Sequence, residues 1–509
     1  MPARIAILLL MLTAAFLWSS KPNADEDAGP PNFLILIGDD MGVESLSCYG
    51  IGSDPARTPT LDSLCTQGMR FDNFWSQPAG SPTRATILTG QYAFRNGVGT
   101  PAASPDFDYP IPESPAYAGV EITSGDEGNR RNRSMRENPN AQRPGYEEPA
   151  NARPGLSPDA YGLPRALSAD AELGYVTAAV GKWHLSDESN GGLEHPSVVG
   201  FDHYAGSIGG AAVESFFAWS EVVNGKITGG RSGYATSATV DDAIAWFDYA
   251  ATEKPWLLWV AFNAPHTPLG EPPAELLSPE TVAALEDAEP HTYFSAMIEA
   301  MDSEIGRLLG AIGQEELKNT YIIFLGDNGT SENVVTPPFE RGRAKGSVYQ
   351  GGVNVPLMIM GPGIAGGTTS ASLANSVDLF ATILDLAGTA DDPKLAAVTR
   401  DSTSLKPVLA NHKATVRDFA YADVYGPQQN QIVNMRAIRN ERYKLLLDLQ
   451  NDTEELYDLS VDPYEHSDLL TAALTPEAQE NYDSLVARLG ELLAGNSPQE
   501  MISMAGPAQ

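Results

Sequence analysis

The chain has 509 residues, 42% hydrophobic and 19% charged, the usage of a globular protein and enough length for one large α/β body with a smaller part beside it. Its 32 Lys and Arg against 66 Asp and Glu leave a formal net charge of −34. A surface of that sign repels nucleic acid and anionic membranes, so both are excluded as partners.

At the N-terminus, Arg4 precedes an apolar run from Ile5 to about Trp18, followed by Ser19-Ser20-Lys21. The run is short for a membrane span and suits the apolar stretch of an export signal. Residues 1–24 are therefore expected to be a signal peptide cleaved near Ala24, with an uncleaved anchor as the alternative because Pro22 stands at the −3 position; after cleavage the protein is expected to be periplasmic or secreted with no stable membrane span. Cys48 and Cys65, the only two cysteines, either pair in that oxidising compartment or stay as two buried thiols.

Phe33 to Ile37 is a continuous apolar run, which reads as a buried central strand of a parallel sheet. Asp39 and Asp40 fall just past its end, where open α/β sheets place their ligands; two acids there also suit a helix cap. Thr58-Pro59 opens a helix that Gly68 closes. After the aromatic segment Phe71 to Trp75, Pro82 starts a second short helix with Arg84 near its beginning. Backbone donors and the helix dipole suit an anion at such a start. Residues 101–158 are crowded with Pro, Asn, Arg, Glu and Gly and are expected to form a long surface loop.

Regular patterning returns with a helix over Leu163–Leu173 and a strand over Tyr175–Val180. That strand runs into Gly181-Lys-Trp-His184, whose Lys182 and His184, two residues apart, point to one side. A helix over Ala238–Ala250 leads to a strand over Trp256–Phe262, after which His266 stands between Pro265 and Pro268. A helix over Phe294–Ile312 leads to a strand over Tyr321–Leu325, which delivers Asp327 and Asn328. Lys345 follows in a glycine-rich loop, then a strand over Pro356–Met360 and a helix over Ser376–Leu386. Such alternation predicts a doubly wound α/β sheet with mainly parallel strands. From 406 to 500, short strands at Met435–Arg439, Tyr443–Leu447 and Glu455–Leu459 and a helix at Pro476–Ala494 predict a smaller antiparallel subdomain. The expected division is thus 30–405 and 406–500, with pocket walls drawn from the 101–158 loop, Phe201–Gly233 and the C-terminal part.

Asp39, Asp40, Asp327 and Asn328 make an all-oxygen set suited to a hard cation, Ca²⁺ or alternatively Mg²⁺. Arg84, Lys182 and Lys345 bring positive charge, and His184 and His266 bring proton donors. With a divalent cation counted in, this centre is about two charges positive inside an acidic chain. Binding and cleaving a small tetrahedral oxyanion ester is a reason for such a centre.

On these residues the chain resembles the sulfatase family of the alkaline phosphatase superfamily over most of its length after residue 31. The matching stretches are Pro31-Asn32 to Gly42, Ser81-Pro-Thr-Arg to Gly90, Gly181-Lys-Trp-His, Pro265-His-Thr-Pro, Asp327-Asn-Gly and Lys345-Gly-Ser-Val-Tyr-Gln-Gly-Gly. The Glu455-Leu-Tyr-Asp-Leu…Asp462-Pro tail fits as well. The resemblance implies an alkaline-phosphatase-like mixed sheet, with Asp39, Asp40, Asp327 and Asn328 as calcium ligands. It further implies that Arg84, Lys182 and Lys345 hold sulfate, that His184 and His266 move protons and protonate the leaving group, and that the substrate is a sulfated carbohydrate or a small aryl sulfate.

One position departs from the family. Its signature has Cys or Ser two residues before Pro and four before Arg, and that residue becomes the formylglycine whose hydrate attacks sulfur. Anchored on Pro82 and Arg84, the position is Gly80, which has no β-carbon to oxidise, so no formylglycine forms there; Ser81 is one residue out of register. The readings are a hydrolase with water or a shifted Ser81 as attacking group, a pseudosulfatase that binds calcium and sulfated ligand without turnover, or an engineered or erroneous Gly in place of Cys. A phosphatase or phosphodiesterase of the same superfamily is a further alternative. It wants a Ser or Thr nucleophile and commonly two metals, whereas the Lys182/His184 pair, the single-metal ligand set and Lys345 favour sulfate.

Overall fold

The computed structural model describes residues 29–102, 152–209, 215–251, 254–390, 393–396, 400–428 and 431–494. The expected signal peptide and most of the 101–158 loop lie outside these residues. In chain order the strands are β1 (Asn32–Gly38), β2 (Met69–Phe71), β3 (Phe74–Trp75), β4 (Val176–Lys182), β5 (His203–Ser207), β6 (Ala218–Val223), β7 (Lys226–Ser232) and β8 (Trp256–Ala261). They continue with β9 (Thr320–Gly326), β10 (Leu357–Met360), β11 (Thr368–Ser370), β12 (Ala374–Asn375), β13 (Ala420–Gln428), β14 (Gln431–Arg439), β15 (Tyr443–Asp448) and β16 (Thr453–Asp458).

Ten strands form one sheet in the order β11-β2-β10-β9-β1-β8-β4-β5-β6-β7. Its centre, β9 through β5, is parallel, while β10 runs against β9 and the β6–β7 hairpin is antiparallel. The sheet is therefore mixed and mainly parallel. Its central strands β1, β8 and β9 are buried on both faces, which is why β1 carries no polar alternation. Leu34 and Leu36 pack with Val240, Ala243, Ile298, Met301 and Ile305 of helices Ala235–Ala250 and Pro290–Ile312. Phe33, Ile35 and Ile37 face helices Gly80–Thr89 and Asp378–Ala387 through Ala85, Ile87, Leu379 and Ile383. Each such fully buried side chain contributes about 1.5–3 kcal/mol.

Register within this sheet positions the site. Gly38 of β1 lies beside Gly326 of β9, Ile37 beside Ala261 of β8, and Ala261 beside Gly181 of β4. Four strands thus end at one level, and the polar residues that follow each of them meet.

The C-terminal strands form a separate antiparallel sheet, β13-β14-β15-β16. One face carries Ile438, Leu445 and Leu456 against Leu485 and Leu489 of helix Pro476–Leu493. The other places Ala420, Ala422, Ala437 and Leu446 on Trp75, Val348 and Val353 of the main body.

Three features differ from, or add to, the sequence expectation. The helix expected over Leu163–Leu173 stops at Leu167, because the Asp170 carboxylate accepts the Glu172 N–H at 2.9 Å and draws the backbone into a turn. Phe201–Gly233, expected as pocket wall, contributes β5, β6 and β7 to the sheet edge, with 210–214 outside the described residues. Of the two states left open for the cysteines, the structure has the disulfide Cys48–Cys65.

Helix Pro59–Gln67 lacks a side-chain cap from its own Thr58. Asp302, reaching across from helix Pro290–Ile312, accepts the Thr60 and Leu61 N–H groups at 2.9 and 2.7 Å. Asp302→Ala is expected to lower the unfolding free energy by about 1–2 kcal/mol, and Asp302→Asn by less, as read by denaturant titration.

Candidate active site

Asp39 and Asp40 follow β1 directly, and both are buried. The Asp39 N–H donates to the Ala264 carbonyl at 3.1 Å, and the Asp327 N–H to the Gly38 carbonyl at 3.0 Å. These bonds stitch the β1, β8 and β9 ends together. The Asp40 N–H donates to Asp327 Oδ1 at 3.0 Å, and Asn328 Nδ2 donates to Asp40 Oδ1 at 2.8 Å. Asp40 itself is left-handed at φ 70°, a conformation costly for a non-glycine residue and held here by the bonds around it.

Each carboxylate has a basic partner from another element. Arg84 Nη2 lies 3.0 Å from Asp327 Oδ2, with both side chains fully buried. Lys182, the last residue of β4, pairs with Asp39. Lys345 Nζ lies 2.6 Å from Asp40 Oδ1. These pairs set the ionisation. Burial opposes the charge on Asp39 and Asp40, yet Lys182 and Lys345 respectively, with His266, hold both below the ordinary carboxylate value. Burial and the Asp39 charge push Asp327 up, against the pull of Arg84. Burial also works against the Lys345 ammonium, but Asp40 and Asp39 raise it above the usual lysine value.

Both histidines are held below the usual imidazole value. Burial, Lys182 and Arg84 push His184 well down, and its Nε2–H donates to the Ala102 carbonyl at 2.8 Å. Burial and Lys345 lower His266 despite Asp40. The His266 Nδ1–H donates to the Thr267 carbonyl at 2.7 Å, which leaves Nε2 facing Asp40 Oδ2 at 3.8 Å. All the site residues expected from the sequence therefore converge at one end of the sheet. Two further groups were not expected. The Thr330 hydroxyl accepts the Gly42 N–H at 3.0 Å and steadies the Asp39–Asp40 loop, and its place beside Asp327-Asn-Gly was a usable signal. Nothing in the sequence marks the Ala102 carbonyl.

Gly80 begins helix Gly80–Thr89. A β-carbon placed on it would stand 2.2 Å from Asp327 Oδ2 and 3.6 Å from Asn328 Oδ1, so position 80 looks straight at the acids. Ser81 looks elsewhere: its hydroxyl donates to the His184 carbonyl at 2.7 Å and accepts the Ala102 N–H at 2.9 Å. Both bonds count against a shifted Ser81 as nucleophile.

The donor set fits a hard divalent cation. Asp39, Asp40 and His266 offer ligand atoms that all lie within 4.8 Å of one another. Asn328 Oδ1 is buried without a hydrogen-bond partner, an unfavourable state that a cation relieves. Arg84 Nε is likewise buried and unpartnered, a donor suited to an oxyanion.

Carboxylates facing guanidinium and ammonium groups at aligned strand ends thus define an α/β protein with a buried cluster of paired charges at one end of its sheet. Residues 31–120 and 131–389 match the sulfatase family model, and residues 343–494 match that of the N-sulphoglucosamine sulphohydrolase C-terminal region. The chain belongs to the sulfatase family. It is 24% identical to the N-acetylglucosamine-6-O-sulfatase of Bacteroides thetaiotaomicron over 98% of this chain and 93% of that one. It is 26% identical to arylsulfatase A of Homo sapiens over 88% and 86%. Similar solved folds include Ps i-CgsB in complex with k-i-k-neocarrahexaose, at TM-score 0.69 and 22% identity over 94% of this chain and 98% of that one. BT4656 in complex with its substrate D-glucosamine-2-N,6-O-disulfate has TM-score 0.68 and 22% identity, over 93% and 100%.

Because a side chain at position 80 collides with the Asp327 carboxylate, Gly80→Ala is expected to separate Asp327 from Arg84. The cost is expected to be about 1–3 kcal/mol of stability, measured by denaturant titration in a chelator-treated sample.

Proposed function

We propose that this protein is a metal-dependent sulfuric ester hydrolase acting on sulfated carbohydrates. The observation that carries this reading is the pairing of Arg84, Lys182 and Lys345 with Asp327, Asp39 and Asp40 at one end of the sheet. In it, Asp39, Asp40, Asp327 and Asn328 hold Ca²⁺, with His266 at hand. A bound divalent cation would offset the acids and polarise an ester oxygen. Arg84, Lys182 and Lys345 bind the sulfate group, and His184 and His266 handle the proton passed to the leaving oxygen. The sulfated sugars in the names of the relatives and of the BT4656 complex support a carbohydrate ester.

Gly80 has no side chain to attack sulfur, so the attacking group in this reading is water and no covalent sulfo-enzyme forms. The same glycine, together with the pinned Ser81 hydroxyl, favours a second reading: calcium-dependent binding of a sulfated ligand without turnover. A pinned Ser81 likewise gives no support to a phosphatase route through a serine nucleophile.

The deciding assay pairs the protein with Gly80→Cys produced beside a formylglycine-generating enzyme, both offered aryl and sugar sulfates. Turnover by the Gly80 protein that survives Ser81→Ala and disappears with EDTA supports the hydrolase. Turnover by the Cys variant alone, with calcium-dependent ligand binding by both, supports the second reading. If neither binds calcium or sulfated ligand, both readings fall. We further propose that the protein is exported, a reading that the Cys48–Cys65 disulfide supports. N-terminal sequencing of the exported protein is expected to begin near residue 25, and an intact Met1 would contradict it.

A further inference from the structure

The C-terminal motif Glu455-Leu-Tyr-Asp-Leu…Asp462-Pro has no part in the site described so far. It leads into a tight turn: the Asp462 N–H donates to the Asp458 carbonyl at 2.9 Å and the Glu465 N–H to the Asp462 carbonyl at 3.2 Å. Glu465 closes the turn in the left-handed region at φ 64° and is 1% exposed. An acid forced into that conformation and removed from water needs partners strong enough to keep it there.

Its partners are the loop that carries Lys345 and, beside it, Lys444. One carboxylate oxygen accepts the Gln350 N–H at 2.6 Å, and the other pairs with Lys444 of β15, whose side chain is also fully buried. The Lys444 ammonium donates in turn to the Val348 carbonyl at 2.7 Å. The Glu465 carbonyl accepts from the Arg343 guanidinium. Three points of the segment 343–350 are thus held from the C-terminal sheet. The opposite side of that segment is tied to the site itself, through the Lys345 N–H to the Thr330 carbonyl at 3.0 Å and the Gly346 N–H to the Pro78 carbonyl at 2.8 Å. Lys444 Nζ also sits 4.8 Å over the Trp75 ring, at the head of the loop that leads to Gly80 and Arg84.

A buried ion pair is a poor way to add stability, since desolvation offsets most of the attraction. Its directionality is the useful property. An apolar pair of similar volume would pack equally well there but would leave the Gln350 N–H and the Val348 carbonyl without partners.

We infer that Glu465 and Lys444 are positioning residues: their ion pair fixes the 343–350 loop so that Lys345 reaches the oxyanion site beside Asp40. The inference rests on the reading of Lys345 as a sulfate ligand. The C-terminal part is on this account a component of the anion site.

The test measures inorganic sulfate and Ca²⁺ affinities separately, by calorimetry on the full chain well below its melting temperature. Glu465→Gln keeps the shape and removes the charge. Because it strands a buried ammonium, Lys444→Met/Glu465→Gln is measured alongside, and Lys345→Ala is the control. Expected is about a tenfold weaker sulfate affinity in both Glu465 variants, the size typical of losing an orienting partner, with Ca²⁺ affinity unchanged. A purely structural role would lower the melting temperature and leave the native-state sulfate affinity alone. Sulfate binding like that of the parent in the double variant, with binding lost in Lys345→Ala, overturns the inference. Undiminished sulfate binding in Lys345→Ala overturns the reading of the site on which the inference depends.

Discussion

Parallel pairing sets Gly38 beside Gly326, Ile37 beside Ala261, and Ala261 beside Gly181, and everything chemical in this protein depends on that register. A slip of one residue in any pair would turn the strand's side chains over and move its terminal polar group by about 3.3 Å. The register is protected by the strands themselves. With both faces of β1 buried to 0% exposure from Phe33 to Ile37, no shifted pairing leaves the two cores filled. The apolar interior thus has a second role, as the ruler that sets distances among the site's acids and bases.

Those acids and bases could not be buried singly. An isolated carboxylate taken out of water loses several kcal/mol even after relaxation and would take up a proton instead. Pairing with Lys182 and Lys345 keeps the charges on Asp39 and Asp40, Arg84 opposes the upward push on Asp327, and every pair joins elements far apart in sequence. The cluster is consequently a tertiary weld. Rigid loops follow from this: His184 and Asp40 hold left-handed backbones that isolated segments would not keep.

Much of this was legible in the sequence, for physical reasons that differ by element. β1, β8 and β9 are continuous apolar runs ended by polar residues, the pattern expected of a strand buried on both faces. Asp39, Asp40, His266, Asp327 and Asn328 were legible because they follow such strands. What a one-dimensional reading lacked was the pairing across the chain. Nothing in the text of the sequence says which lysine meets which aspartate, or that the Ala102 carbonyl meets His184. The β5–β7 strands were missed because Gly206, Gly229 and Gly230 interrupt the alternation that marks a strand, and Glu465 because its partners are mostly backbone groups and so leave no trace in composition.

Gly80 shows how a single missing β-carbon reshapes the balance of these charges. Its absence lets the Asp327 carboxylate come to where a side chain at position 80 would stand, and there Asp327 is bonded to Arg84. A guanidinium engaged by an internal carboxylate is less available to any other partner. Whatever draws Asp327 away frees the guanidinium, and by thermodynamic reciprocity whatever occupies the guanidinium frees Asp327. Arg84 and Asp327 are therefore coupled to each other, and the glycine at position 80 is what gives these two side chains room to meet.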